Sequence, residues 1–197
     1  MAALAATATR PDTSTRILDA AFHCVQDVGL SRTTVEDVAR AAGIARQTVY
    51  RYFPSKDHLI LALVLREEEK FLDGVRDAFA SASSLQATLE QAIVFCLRFA
   101  REHPLLDRLL ETDPDALLPF LTVRAAPVIG RARDVLINLF TSKELAREGL
   151  VEEAADAMVR VVISYALCPP ERHPEEVARD LARTFTLALT GKEASPR

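Results

Sequence analysis

The chain is 197 residues long, enough for one compact domain or a small unit joined to a larger one, and 49% apolar content is ample for a core. Its net charge of −4 excludes a chain-wide basic footprint; residues 1–60 carry seven basic groups against six acids, so residues 61–197 carry −5. The longest unbroken apolar run, Leu59 to Leu65, is far too short to span a bilayer.

Cys24, Cys96 and Cys168 are scattered and odd in number, which reads as buried small apolar residues in a reducing cytosol. His23, His58, His103 and His173 show no metal-ligand spacing, and no cofactor is implied. Residues 1–12 are Ala-rich but lack a basic leader and run into Arg10-Pro11-Asp12. They read as a flexible tail rather than a signal peptide, so a cytoplasmic protein with no membrane partner is expected.

From Thr13 the periodicity is helical almost throughout. Ile17, Ala21, Val25 and Val28 make the apolar face of a first helix, closed by Gly29. Val35, Val38, Ala39 and Ala42 repeat the pattern over a short second helix. Thr33 or Thr34 stands at its N-cap, Glu36 follows Thr33 by three for a capping box, and Gly43 is suited to end it. Gln47 to Phe53 form another short helix with Val49 as its apolar plug. Small Ala39, then Gly43 four later, then Val49 six beyond that is the spacing of a DNA-reading helix-turn-helix.

Ser55 caps a helix that runs to about Ala80. Its start is apolar all round, Leu72, Val75 and Phe79 then leave one stripe, and Glu67-Glu68-Glu69-Lys70 reads as a solvated face. Leu85 to Arg101 is the next helix. Prolines at 104, 114, 119 and 127 cut the following stretch into short pieces, and Pro127 either opens or kinks the helix carrying Val128 to Leu139. Glu152–Leu167 and Pro174–Thr190 are the last two helices, with breaks marked at Gly149 and Gly191. The β-branched run Val161-Val162-Ile163 is outweighed by the helical pattern around it, so an all-α protein is expected.

In a helix-turn-helix the start of the second helix faces base edges. Arg46 can grip guanine in a fork and Gln47 can pair with adenine. Thr33, Thr34, Thr48, Tyr50, Tyr52 and Lys56 stand where hydroxyl and ammonium donors could meet the flanking phosphates. An enzyme is disfavoured: Asp57-His58 and Glu102-His103 are adjacent pairs that point apart on a helix, and no nucleophile has a base at useful spacing.

These residues carry a resemblance. Arg16-Ile17-Leu18-Asp19-Ala20-Ala21, Thr33-Thr34-Val35-Glu36-Asp37-Val38-Ala39, Gly43-Ile44 and Thr48 through Leu59 resemble the TetR family of bacterial transcriptional regulators over roughly residues 13–65. Arg46 departs from it, standing where many members have a small or polar residue. The resemblance implies a helix-turn-helix DNA-binding domain at 13–58, joined by a long helix to a larger helical effector-binding and dimerisation domain at 59–197. It further implies a homodimer on a palindromic double-stranded operator, repression of nearby genes, and release by a small molecule. The helices between Leu85 and Phe140 would line the pocket; Phe95, Phe99, Leu106, Phe120, Arg124 and Leu136 are the candidates, and their mainly apolar character points to a hydrophobic effector. The last two helices would form a four-helix dimer interface through Met158, Val162, Tyr165, Leu181, Phe185 and Ala188. An architectural or division-linked DNA binder of the same fold, without effector, is the alternative.

Overall fold

The computed structural model of the chain describes residues 12–81, 84–142 and 150–190. Within them lie ten helices and no strand: α1 (Thr13–Val28), α2 (Val35–Ala42), α3 (Arg46–Tyr52), α4 (Lys56–Ser81), α5 (Leu85–Glu102), α6 (Pro104–Thr112), α7 (Pro114–Leu121), α8 (Ala126–Ser142), α9 (Val151–Leu167) and α10 (Pro174–Thr190). The expected tail and the breaks at Gly149 and Gly191 fall outside the described residues, apart from Asp12. The chain divides into two units, Met1–Leu63 and Val64–Arg197, and the division falls inside α4.

The first unit is small, and its core is built from short apolar faces. Ile17, Leu18, Ala21 and Val25 of α1, Val35, Val38, Ala39 and Ala42 of α2, and Val49 of α3 are buried, joined by Leu59, Ile60 and Leu63 of α4. Burial of each branched aliphatic contributes about 1.5–3 kcal/mol, so none of these short helices could hold its shape singly. Local chemistry sets the breaks. The capping box belongs to Thr34 and Asp37, not to Thr33 and Glu36: Asp37 N–H donates to Thr34 Oγ1 at 3.2 Å, and Thr34 N–H donates to Asp37 Oδ2 at 3.2 Å. Thr33 instead drops into the core at 1% exposure, its hydroxyl donating to the Gly29 carbonyl. Gly43 ends α2 in the left-handed region, with φ of 65°. There the Ile44 N–H reaches back to the Ala39 carbonyl, and the Arg16 guanidinium donates to the Ala42 carbonyl at 2.7 Å. The turn into α3 is therefore fixed from both sides.

The second unit holds the larger core. Val75 and Phe79 of α4, Leu89, Ile93 and Leu97 of α5, Leu136 and Phe140 of α8, Met158 of α9, and Phe185 and Leu189 of α10 all belong to it. Helix α10 lies along α5, and α8 along α9. Prolines 104 and 114 stand at the first positions of α6 and α7, where a missing N–H costs nothing, and Pro127 opens α8 rather than kinking it. Of the three cysteines only Cys96 is buried, with burial pushing its thiol up to about 12; Cys24 is half-buried and Cys168 exposed.

Of the run Glu67-Glu68-Glu69-Lys70, Lys70 is exposed as expected and Glu69 half-exposed, but Glu67 and Glu68 are not solvated. Glu67 and Glu68 side chains are 12% and 6% exposed, and Arg131 of α8 donates to the Leu65 carbonyl at 3.1 Å and pairs with Glu69. Both Glu68 oxygens are enclosed without a hydrogen-bond partner, since Glu68 shares the inward stripe of Leu72, Val75 and Phe79. Burial pushes its carboxyl up to about 7, which Arg131 at 3.8 Å only partly opposes.

Candidate nucleic-acid interface and ligand groove

Helix α3 is held by one buried plug, Val49 at 0% exposure, and everything opposite it faces solvent. Arg46, Gln47, Tyr50 and Arg51 share that face, since positions i, i+1, i+4 and i+5 span less than half of a helical turn. Tyr50 and Tyr52 are 37% and 39% exposed, so neither belongs to the core. The Arg46 guanidinium lies 5.4 Å from the centre of the Tyr50 ring, donates to the Tyr50 hydroxyl at 3.2 Å and sits 3.7 Å from Glu36. Arg51 lies over Tyr52 at 5.7 Å. Tyr50 and Tyr52 thus each carry a cation.

Two neighbours frame this face. Ser55 caps α4 by accepting the His58 N–H at 3.2 Å, and the next residue, Lys56, donates from Nζ to the Ser31 carbonyl at 3.0 Å. Lys56 is therefore both a surface cation and the tie that holds the α1–α2 turn, which explains a lysine at an unfavourable helix start. Across α2, the Thr34 hydroxyl donates to Asp37 Oδ2 at 2.6 Å, and the interaction with Thr34 holds the Asp37 carboxyl below its ordinary value. Seven of the eight residues expected to meet DNA lie at or near this surface. Thr33 does not: it is enclosed, and its hydroxyl is engaged by backbone. Helix caps are ambiguous at two adjacent threonines, and only the position of α2's first turn separates them.

In the second unit a groove of about 820 Å³ runs along α5, floored by Ala87, Val94, Phe95, Phe99 and Pro104, with Arg98, Glu102 and His103 at one end. Phe71 of α4 stacks behind Phe95 at 5.8 Å and against Phe99 at 5.2 Å, and His103 lies on Phe99 at 4.9 Å. Gly74 is what lets Phe95 close onto α4, because a Cβ there would clash with the tip of its ring. Of the six residues expected to line a pocket, the groove brings together only Phe95 and Phe99. Leu136 and Phe120 are buried packing residues, Arg124 covers the Phe120 ring at 4.9 Å, and Leu106 accepts no place in the groove. Phe71, Gly74 and His103 were missed; a glycine inside a long helix was the available signal.

The expected dimer residues divide likewise. Met158 and Phe185, 3% and 9% exposed, pack into the core of their own unit and cannot supply an outer face. Val162, Tyr165 and Leu181 are half-buried and Ala188 is exposed. Helical periodicity finds an apolar stripe but does not say which neighbour covers it.

Residues 17–63 match the family described as bacterial regulatory proteins, tetR family, and residues 84–186 the one described as bacterial tetracyclin repressor, C-terminal domain. The chain belongs to the TetR family. It is a DNA-binding transcriptional regulator of that family, and α2–α3 is its helix-turn-helix. The chain is 34% identical over 176 residues to the HTH-type transcriptional regulator AlkX of Mycobacterium tuberculosis, covering 85% of this chain and 82% of that one. It is 30% identical over 140 residues to the nucleoid occlusion factor SlmA of Haemophilus ducreyi, covering 70% and 68%. Among solved structures, the TetR family repressor AlkX of Dietzia sp., implicated in biodegradation of n-alkanes, matches with a TM-score of 0.74 at 29% identity over 90% of this chain and 94% of that one. Among the described residues no helix is long and apolar enough to cross a membrane.

Proposed function

We propose that this TetR-family regulator is a repressor that binds a palindromic operator as a homodimer and is released by a small hydrophobic effector bound along α5. The observation that carries the DNA reading is the exposed donor face of α3, with Arg46 and Gln47 at its first turn and Tyr50 and Lys56 beside it. Arg46 and Gln47 read bases, while Thr34, Thr48, Tyr50, Tyr52 and Lys56 meet phosphates. A single short helix binds weakly; two of them held about 34 Å apart by a two-fold axis meet successive major grooves. The likeness to an AlkX repressor implicated in n-alkane biodegradation, and the phenylalanine-floored groove, support an aliphatic or amphipathic effector. Such a ligand shifts DNA affinity only by its differential affinity for the two states, typically about 1–3 kcal/mol.

The likeness to a nucleoid occlusion factor favours a second reading, an effector-independent DNA binder with many chromosomal sites. Genome-wide selection with the purified chain, followed by footprinting, separates the two. One or a few discrete palindromes, each covered symmetrically, are expected for the repressor; many dispersed sites would replace it with the second reading.

A further inference from the structure

The Arg46 guanidinium meets two side chains and uses a hydrogen bond on only one of them. Its Nη2 donates to the Tyr50 hydroxyl at 3.2 Å, one turn along α3. Its Nη1 faces Oε2 of Glu36, in the first turn of α2, at 3.7 Å, a separation longer than a hydrogen bond. A guanidinium carries five N–H groups, so four remain for DNA while a carboxylate stands beside the charge. The neighbouring acid of α2, Asp37, is engaged by the Thr34 cap and by Arg40 at 3.4 Å. By contrast, Lys56 donates to a neutral carbonyl and Arg51 lies over a neutral ring, and neither contact cancels a charge. The Arg46 and Glu36 side chains are 58% and 65% exposed, so their pairing adds little to stability. What it changes is what Arg46 presents to DNA.

Attraction to phosphates depends on net charge: each cation that neutralises a phosphate releases counterions, whatever the sequence. Recognition of guanine depends on direction, because O6 and N7 are neutral acceptors that take two N–H groups in a fork. A carboxylate a few ångströms from a guanidinium subtracts the first and leaves the second. Resting on the base-reading role of Arg46 given above, we propose that Glu36 is a specificity-determining residue, which cancels the charge of Arg46 towards phosphates and leaves its donor fork for a guanine. On a wrong sequence Arg46 gains little by settling on a phosphate, because Glu36 comes with it. On the operator the fork is filled by a base edge, and directional bonds offset the lost charge. Glu36 acts through Arg46 and touches no base.

The test uses the full chain, the duplex that it selects from a randomised pool, and a scrambled duplex of equal length. Glu36→Gln keeps the shape of the side chain, and the Tyr50 hydroxyl still receives Arg46, so charge changes without position. Affinity for the scrambled duplex should rise roughly three- to tenfold, its slope of log affinity against log salt steepening by about one. Affinity for the selected duplex should rise less, so the ratio of the two falls by roughly threefold or more at a melting temperature close to native. In an Arg46→Ala background the same substitution should shift both affinities equally, because no guanidinium remains to be neutralised. An equal rise on both duplexes with Arg46 present, or a fall in the ratio that persists without it, overturns the role of Glu36 and leaves base reading by Arg46 standing. Weaker binding to the selected duplex with the scrambled one unchanged also overturns it, making Glu36 a base contact in its own right. If Arg46→Ala alone leaves the selected base preference unaltered, Arg46 reads no base and both readings fall together.

Discussion

Lys56 does two jobs with one ammonium group. It ties the α1–α2 turn through the Ser31 carbonyl, and two of its three protons remain for a phosphate. Lys56→Ala should weaken binding to all DNA sequences alike and lower the slope of log affinity against log salt by about one. Tyr50→Phe should also weaken binding uniformly, but with the slope unchanged, because a hydroxyl displaces no counterion. Gln47→Ala should relax base preference at one position per half-site in a randomised-site selection, at a cost of about 1–3 kcal/mol of discrimination. Glu68 belongs to the same scale. Its folded value of about 7 lies above the ordinary 4.5, so its contribution to stability is full below pH 4.5 and is lost as pH rises towards 7 and beyond. Glu67 runs the other way: held at about 2, its contribution is present above pH 4.5 and lost as pH falls towards 2. Melting curves of the native chain should therefore fall between pH 5 and 8, and Glu68→Gln, which keeps the shape without the charge, should flatten that decline.

At the level of elements, periodicity made the longer helices and the helix-turn-helix legible because each has one apolar face and a chemically marked end, whereas α6 and α7 read only as short pieces between prolines. The 3.6-residue repeat places α1, α2, α4, α5, α9 and α10 within a residue or two of their observed bounds, and Gly43, Ser55 and prolines 104, 114 and 127 mark breaks, whereas Pro119 lies inside α7 and cuts nothing. The acidic triplet misleads for a physical reason: three charges in sequence look solvated, yet 100° per residue turns the middle one inward towards Leu72 and Phe79. Gly74 shows in the sequence only as a glycine inside a long helix, and its role depends on a ring from another helix. In an exposed helix Gly→Ala stabilises by about 1 kcal/mol. At Gly74 the new methyl meets the Phe95 ring, so Gly74→Ala should push that ring into the groove, cancelling the propensity gain. The expected signature is a changed near-ultraviolet aromatic dichroism and weaker binding of the neutral fluorophore N-phenyl-1-naphthylamine, with unchanged helix content.

The largest scale is the assembly, where α10 separates two roles that its sequence pattern runs together. Val177, Ala178, Ala182, Phe185 and Leu189 are its inward row, packed in the core of the unit, whereas Leu181, Thr184 and Ala188 recur at i, i+3 and i+7 on the flank of that row, about 80° round the helix, and are half-buried or exposed. An acid placed in the first row buries an unpaired charge, so Phe185→Asp should cost on the order of 3–5 kcal/mol and unfold the unit before it reports on any dimer. An acid in the second row leaves the folded subunit intact. If the outer row of α10 meets its own copy across a two-fold axis, each Ala188→Glu substitution appears twice in one interface, and like charges face each other. Ala188→Glu should therefore halve the mass in light scattering at a melting temperature close to native. Operator affinity should drop steeply because each α3 then binds as a single helix, while a dimer that persists at micromolar concentration would move the interface off α10.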